Sequence, residues 1–525
     1  MVVLAAMAVA TRGMCANSSG ADDPLLDLFI QKGFVTQEEA EKVKAEAAAM
    51  QTNQTNELQM PQPAGSPWKF SKGIKNIGFV GDVRLRYEDR SAGDPKNGNI
   101  DLRRLRYSIR LGLRGELFDD YYYGFRIEPS SSPRSSWLTM GTAASGTPYQ
   151  GPFGKSTAGV NVGQAYLGWH HWDWLEITLG KMPNPLYTTP MVWSSSVNPE
   201  GAAEHLKYPV GPAEFFANLG QFIYQDTNPN KASLGYFPSG SPDVYTGGSS
   251  STFLLAWQGG VEYQLTRQIS FKVAPVLYVY TAKGVDTSSG TPGFSDTYVG
   301  QGASNPSLAG YDGYGITGNN YYDGFSANQT GINDLKVLEI PFQLDFKNDR
   351  LNARLFGDFV YNLDGANRAQ AAYNVALAES QPTFTYPNGN IPPYFTTPIS
   401  SPQTHDDKAY QIGIDIGSPD SLGMVGGSTS RSHAWELKTY WQHVEQYALD
   451  PNLIDSDFFE GRENLQGFYV ALAYGLTDNL IGAFRYGHAS RINDKLGTGG
   501  SNQDIPQINP INDFDIYQVD LTFRF

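Results

Sequence analysis

The segment from Arg104 to Arg114 alternates between polar and apolar side chains without a break. Leu105, Tyr107, Ile109, Leu111 and Leu113 occupy the odd positions, and Arg104, Arg106, Ser108, Arg110 and Arg114 stand among the even ones. A period of two predicts a strand with one polar and one apolar face. Strands of soluble sandwiches usually have about 5–6 residues, whereas strands that cross a membrane need about 9–11. This segment is long enough to cross a membrane.

The mean hydropathy of the chain is −0.37, and beyond its first ten residues no run of 18 apolar residues occurs. This excludes a transmembrane helix. A closed β-barrel is the other structure that satisfies every backbone group in lipid, and it is hydrophilic on average because only alternate side chains meet lipid. The 31 Tyr, 28 Phe and 56 Gly fit strands and turns.

About sixteen such segments follow one another between 77–90 and 514–525. Connections after even-numbered segments are short, whereas those after odd-numbered segments are long, as in 283–336 and 364–407; the link 419–433 is too long for its place. Short periplasmic turns and long extracellular loops give this pattern when both termini are periplasmic. The predicted fold is all-β, a transmembrane antiparallel β-barrel of about 16 strands.

The two ends of the chain predict export and assembly. The expected organisation is an export signal and mature N-terminus (1–23), a short periplasmic helical segment (24–50), a linker (51–76) and the barrel (77–525). Thr36 and Glu39 form a capping box in the helical segment. The last segment ends on Phe525 and resembles the C-terminal signature of bacterial outer-membrane proteins, which implies recognition by the barrel-assembly machinery.

The chain as a whole resembles the putative porin family of Gram-negative bacteria. The resemblance rests on LLDLFIQKGFVTQEEAEKVKAE (25–46), GFVGDVRLRYEDR (78–90), NPEG (198–201) with FFANLGQF (215–222), and the terminal strand. It implies a barrel of this size in the bacterial outer membrane and passive passage of small hydrophilic solutes or ions. It implies no particular solute.

With the apolar face toward lipid, charged residues face the lumen. The pore-lining candidates are Arg84, Arg86, Arg104, Arg106, Arg110, Arg114 and Arg126 with Asp82 and Glu128 on one wall, and Glu339, Asp345, Asp358, Asp415, Glu436 and Asp520 on facing strands. Rings of charge set ionic selectivity in pores. The arginines either favour anions or only pair with Asp82, Glu88, Glu116 and Glu128, and the pattern leaves both readings open.

Aromatic residues stand near the predicted strand ends, where they suit the interfacial girdles of a membrane barrel. These are Tyr121, Tyr123, Trp169, Trp172, Trp174, Tyr263, Trp435 and Trp441.

Other function classes find little support. The net charge of −15 argues against nucleic-acid binding, and the single Cys15 allows no disulfide framework. The seven histidines lack metal-ligand spacing, and no nucleophile elbow or nucleotide-binding loop occurs. No catalytic residue, metal or cofactor is predicted.

Three functions stay open from the sequence: a general or weakly selective porin, a barrel sheath around a multihaem cytochrome partner, and a loop-based adhesin or receptor. The porin is favoured. The expected partners are outer-membrane lipid, small solutes or ions, and the assembly machinery, and a homotrimer is left open.

Overall fold

The computed structural model describes residues 73–94, 98–118, 120–130, 135–141, 159–225, 252–281, 335–370, 401–498, 504–505 and 511–525. The chain divides into two compact units, Met1–Lys69 and Phe70–Phe525, and every described residue belongs to the second. The predicted export signal, the helical segment 24–50 and most of the linker lie outside the described residues and stay predictions.

Strands make up most of the second unit. In chain order they are β1 (Gly78–Asp94), β2 (Gly98–Leu117), β3 (Tyr121–Ser130), β4 (Leu138–Thr139), β5 (Gly159–Trp172), β6 (Leu175–Lys181), β7 (Glu200–Val210), β8 (Ala213–Gln225), β9 (Thr252–Gln264), β10 (Ile269–Val273), β11 (Val276–Tyr280), β12 (Lys336–Lys347), β13 (Asn352–Asn362), β14 (Lys408–Gly417), β15 (Trp435–Val444), β16 (Leu465–Gly475), β17 (Leu480–Arg491) and β18 (Asp513–Arg524). The helix among the described residues spans 365–370. No helix in this described part is long and apolar enough to span a bilayer.

These strand segments form one closed antiparallel barrel of sixteen strands. β10 and β11 are two halves of one barrel strand, because both pair with β9 and with β12. Pro275 lies at the break and has no backbone N–H to give to a ladder. β4 has two residues and occupies the edge of β2 beyond the part that pairs with β3. The predicted fold class and strand number are confirmed.

The barrel closes between its first and last strands. β1 and β18 pair from Asp82↔Arg524 to Gly93↔Asp513. Beyond that register, the Gly81 N–H donates to the Phe525 carbonyl oxygen (2.9 Å) and the Phe525 N–H donates to the Gly81 carbonyl oxygen (3.1 Å). The Phe525 ring also stacks on Phe79. The last residue of the chain therefore helps to close the seam.

Side chains alternate between the two faces along every long strand. Large apolar side chains are exposed on the outer face, among them Phe79, Leu85, Leu105, Leu113, Leu355, Phe359, Ile412, Leu472, Val519 and Leu521. Buried polar side chains occupy the opposite face, among them Asp82, Arg86, Glu88, Arg106, Glu339, Asp358, Gln411, Asp415, Gln518 and Asp520. This distribution of side chains, apolar outside and polar inside, is the reverse of that in a soluble protein. It is the distribution found in membrane barrels.

The two ends of the barrel differ in loop length. At the short rim, which holds the start of β1 and the end of β18, the connections are 118–120, 173–174, 211–212, 265–268, 348–351 and 476–479, with 418–434 as the long exception that the sequence predicts. The opposite end, the long rim, carries the other connections. One of these departs from expectation, since β1 and β2 are joined by only 95–97. The Ser91 Oγ to Asp101 pair (2.8 Å) lies beyond residue 90, where the first strand was predicted to end.

Aromatic side chains form a belt near each rim. Of the predicted girdle, all but Trp441 lie toward the short rim, where Trp172 and Trp174 stack with ring centroids 5.5 Å apart. Trp441 lies toward the long rim, where it pairs in register with Phe468. Tyr486 and Tyr517 stack nearby at 4.6 Å. Rings of this kind suit the two interfaces of a bilayer.

The outer face gives a test of membrane depth. Ile412 lies outward in the middle of β14, so Ile412→Arg should lower the free energy of unfolding by about 2–4 kcal/mol. Leu476→Arg, at the short rim, should cost only about 0–1 kcal/mol because charges near the interface stay hydrated. Denaturant unfolding in lipid vesicles measures both. Equal costs at the two sites would contradict a lipid-facing exterior.

Candidate functional site

The connection between β6 and β7, residues 182–199, folds into the lumen. A glycine stands on each strand at its root: Gly180 (φ +113°) pairs with Gly201 (φ +150°). A Cβ at Gly180 would lie 2.4 Å from the Ala165 carbonyl oxygen, so only glycine fits this bend. Beyond it, Trp193 packs edge-on against Phe222 of β8 and lies beside Tyr278 of β11.

Segment 182–199 is held on the wall formed by β12 and β13. The Thr188 hydroxyl donates to Glu339 (2.6 Å) and the Thr189 hydroxyl donates to Asp358 (2.5 Å). The Tyr278 hydroxyl donates to the second Glu339 oxygen (2.6 Å). Both carboxylates are completely or almost completely buried. These two pore-lining candidates therefore lie on the inner face, but beneath the segment that they anchor.

The connection between β15 and β16, residues 445–464, enters the lumen from the long rim as well. Phe458 packs against Tyr440 and Tyr469 on the wall from which the segment comes. The adjacent Asp457 accepts hydrogen bonds from Arg86 (3.0 Å) and Arg90 (3.3 Å) of β1. The segment thus crosses in front of β16, β17 and β18.

The two segments meet inside the barrel. The Ser194 N–H donates to the Leu453 carbonyl oxygen (2.6 Å), and the Asp455 N–H donates to the Pro190 carbonyl oxygen (3.1 Å). Together, the segments 182–199 and 445–464 form the lumen bridge, which extends from β12 and β13 to β1. The sequence indicates long loops here but gives no sign that these two, rather than others, turn inward.

Two carboxylates of the lumen bridge have opposite pKa shifts. Burial and the adjacent Asp457 raise the pKa of Asp455 to about 6. Burial also acts to raise the pKa of Asp457, but the Arg86 and Arg90 guanidiniums outweigh it and lower that pKa to about 2. Asp457 is therefore charged throughout the neutral range, and it binds the bridge to β1.

Eleven charged groups around Asp457 are joined by ion pairs of 4.0 Å or less and form the lumen ion-pair cluster. Its guanidiniums are Arg86, Arg90, Arg104, Arg106, Arg462 and Arg485, and its carboxylates are Glu88, Asp457, Glu460, Asp504 and Asp520. Glu460 also accepts the backbone N–H groups of Asp504 (3.0 Å) and Ile505 (2.8 Å).

The cluster corrects one expectation and includes two strand arginines that the prediction omits. Asp520 was expected on a facing strand, but β18 is the neighbour of β1 in the closed barrel, and Arg86 Nε donates to Asp520 at 2.7 Å. Arg90 and Arg485 are absent from the predicted set. Both have the inward parity of their strands, so the alternation could have identified them.

The remaining arginines of the predicted wall lie nearer the short rim. Arg84, Arg110, Arg114 and Arg126, with Arg524 of β18, form the basic strip, which shares two carboxylates, Asp82 and Glu128. Arg110 pairs with Asp82 (2.5 Å) and Arg126 with Glu128 (2.9 Å). Arg114 is exposed and, within the described part of the chain, forms no ion pair, nor does Glu116, its neighbour on the same face.

The other acidic candidates lie on the inner face of β12, β14 and β15. Asp345 pairs with Arg354 (2.6 Å). Glu436 is almost completely buried and accepts the backbone N–H groups of Gly423 (2.8 Å) and Val425 (2.5 Å), which holds the long connection 418–434 against the wall. Asp415 stands next to Lys438 in the β14–β15 register. The acidic side is therefore largely occupied by structural contacts.

The carboxylate at position 455 gives a pH test of the lumen bridge. The pKa of the Asp455 carboxyl group is higher in the bridge than its ordinary value of 3.8, so protonation of this group favours the docked bridge. This stabilisation is fully present below pH 3.8 and is lost as the pH rises through 6. The contribution is at most about 3 kcal/mol. Amide exchange of segment 182–199, corrected for intrinsic rates, should therefore rise between pH 4 and 6.5. Asp455→Asn should abolish this pH dependence. The control Asp494→Asn, on an exposed loop, should keep it. An unchanged pH profile in Asp455→Asn would contradict the assignment.

A closed sixteen-strand barrel with an apolar exterior, aromatic belts, a charged lumen and inward-folded loops is the architecture of an outer-membrane porin. The chain belongs to the putative porin family, whose model matches residues 91–525. It is a porin channel of the bacterial outer membrane, and its family and fold are those of a channel rather than an enzyme.

Solved structures that match the chain include porins of other bacteria. Pseudomonas aeruginosa OpdQ is 10% identical over 87% of this chain and 99% of its own, with a TM-score of 0.36. Salmonella typhi OmpF, solved with daunomycin, is 8% identical over 87% and 99%, with a TM-score of 0.40. A mutant porin of Rh. blastica is 8% identical over 86% and 100%, with a TM-score of 0.35. No curated protein matches the chain.

Proposed function

We propose that this porin admits small hydrophilic solutes passively and prefers anions. The main support for the anion preference is the charge imbalance of the basic strip, in which five guanidiniums share two carboxylates. Charge lining a pore attracts ions of opposite sign and sets selectivity. Glu116 at the rim reduces the excess without removing it.

The preference rests on the strip and not on all seven predicted arginines. Arg86 and Arg104 belong to the lumen ion-pair cluster, where carboxylates at hydrogen-bonding distance compensate them. Side chains of Arg84, Arg110 and Arg126 are 20%, 18% and 16% exposed, compared with 4% for Arg86. A charge acts on a passing ion most strongly where no partner compensates it and the ion can approach it closely.

The lumen bridge argues for a solute channel over the two alternatives. A sheath around a cytochrome needs an open interior, whereas residues 182–199 and 445–464 occupy this one and are bonded to opposite walls. An adhesin needs only its outer loops and gives no reason for buried, paired charges inside the barrel. We further propose that the assembly machinery recognises the strand that ends at Phe525, which closes the seam with β1, and that the barrels associate into a homotrimer.

Reversal potentials test the anion preference. Arg114→Gln with Arg126→Gln should shift the reversal potential toward cations at 0.1 M salt, where the screening length is about 10 Å, and the shift should fade at 1 M, where it is about 3 Å. Because arginine keeps its charge, the preference should not titrate near neutral pH.

The control is Arg103→Gln, which removes one guanidinium charge from the outer face of β2, where the side chain is 65% exposed. It should leave the reversal potential as in the wild type. An unaltered ion preference in the double variant would show that the strip only solvates the wall.

The orientation that we propose places the long rim outside the cell and both termini in the periplasm, because periplasmic turns of such barrels are short. A cysteine at Ser401, in a long connection, should react with an impermeant reagent on intact cells. One at Asp349, in a short turn, should react only after the outer membrane is opened. The opposite pattern would reverse the orientation.

A further inference from the structure

One sector of the outer face, on β6, β7 and β8, carries polar and charged side chains. Glu204 lies in the middle of β7 and pairs in register with Ile177 and Leu219. It has the parity of Tyr208, which is 69% exposed, so it points away from the lumen. Gln221 of β8 donates to one oxygen of the Glu204 carboxylate (2.9 Å), and no other described residue donates to that carboxylate.

Nearer the long rim, Lys181 of β6 and Glu200 of β7 form an ion pair on the same outer face (2.5 Å), with side chains 30% and 60% exposed. Ionisable side chains within the membrane are unfavourable against lipid and lie almost always against protein or water. The middle of β14 and of β18 fits this rule, because Ile412 and Val519 lie there and are each 52% exposed. The outer face of β6–β8 is therefore poorly suited to lipid.

Two further features of this sector point the same way. β6 has seven residues, whereas a strand that spans the lipid needs about 9–11. The aromatic belt of the long rim is also interrupted here. Toward that rim, the outward residues of β5, β6 and β7 include no aromatic ring, and they are Val160, Val162, Leu179, Lys181, Glu200 and Ala202. Aromatic belts mark the boundary with lipid head groups, so this sector lacks a feature of a lipid-covered wall.

We propose that this sector is the surface through which copies of the chain associate. It is called the outer patch, and its residues are Leu179, Lys181, Glu200, Ala202, Glu204 and Gln221. A second copy is the occupant that its chemistry favours, since the patch presents both signs of charge and a carboxamide and can therefore complement itself. The small Ala202 side chain lets a neighbour approach closely.

A closed ring of copies turns the same patch of every copy toward the symmetry axis. Such a ring removes all the charged groups of the patch from lipid at once. The inference deepens the proposed association into a homotrimer and rests on it.

Lipid contact is measured with a fluorescent bimane label on single cysteines, in a chain that also carries Cys15→Ser. Leu179→Cys labels the outer patch. Leu472→Cys, on the outer face of β16, is the matched control because both leucines are 48% exposed in one barrel. The purified full chain is reconstituted into phosphatidylcholine vesicles with or without brominated acyl chains. Brominated lipid should quench the label on β16 strongly and the label on β6 only weakly.

Association is tested by Ala202→Trp, which places a bulky ring in the outer patch. Lipid would accommodate this ring, whereas a close contact between copies would be overpacked. The substitution should therefore weaken association at least about tenfold, measured as oligomer mass against dilution in detergent. The matched control is Ala353→Trp, at a partly exposed alanine on the outer face of β13, which should associate as the wild type does. Electrophoretic mobility before heating shows that each barrel is folded.

Equal quenching of the two labels, or unchanged association in Ala202→Trp, would overturn the outer patch as the association surface. If the chain is nevertheless oligomeric, that result leaves the homotrimer intact and contradicts the surface alone. A chain that stays monomeric in vesicles contradicts the homotrimer and the surface together. The reversal potential is a property of each single barrel, so a lack of anion preference contradicts the proposed selectivity without bearing on the surface.

Discussion

The rest of the structure depends on the closure of β18 onto β1. Lipid offers no hydrogen-bond partner, so a strand in the membrane must have both edges paired, and an unpaired edge costs several kcal/mol per group. The continuous register from Asp82↔Arg524 to Gly93↔Asp513 meets this requirement. Closure also fixes which face of each strand is inside, and so gathers charges from distant parts of the chain, such as Arg86 and Asp520, into one lumen.

Inside that lumen, the same residue types serve two different purposes. At mid-height, Glu339 and Asp358 on one wall and Arg86 and Arg90 on the other are buried and hold the lumen bridge. Nearer the short rim, the arginines of the basic strip are more exposed and exceed their carboxylate partners. The difference arises from what covers them, because the inward segments exclude water from the first group and leave it in contact with the second.

The sequence predicts the barrel well because alternation and connection length are local properties. The Arg104–Arg114 pattern determines the inner face of β2, and loop lengths indicate sixteen strands with two unlike rims. Contacts inside the lumen depend on tertiary structure. No periodicity shows that Asp457 reaches Arg90 or that Thr188 covers Glu339, and the position of Asp520 beside β1 follows only from closure. The helical segment 24–50 lies outside the described residues, so its prediction stays untested.

The two groups of charges also differ in how much change they tolerate. Removing one partner from a buried ion pair typically costs about 3–5 kcal/mol because the other charge is left buried and unpaired, whereas an exposed pair contributes about 0–1 kcal/mol. Substitutions in the cluster around Asp457 therefore act on the lumen bridge and on the ionic field together. Substitutions at Arg114, which is exposed at the short rim, act on the field alone. Substitutions in the basic strip can thus change the ion preference of this barrel without disturbing its architecture. Substitutions in the cluster around Asp457 cannot change one without the other.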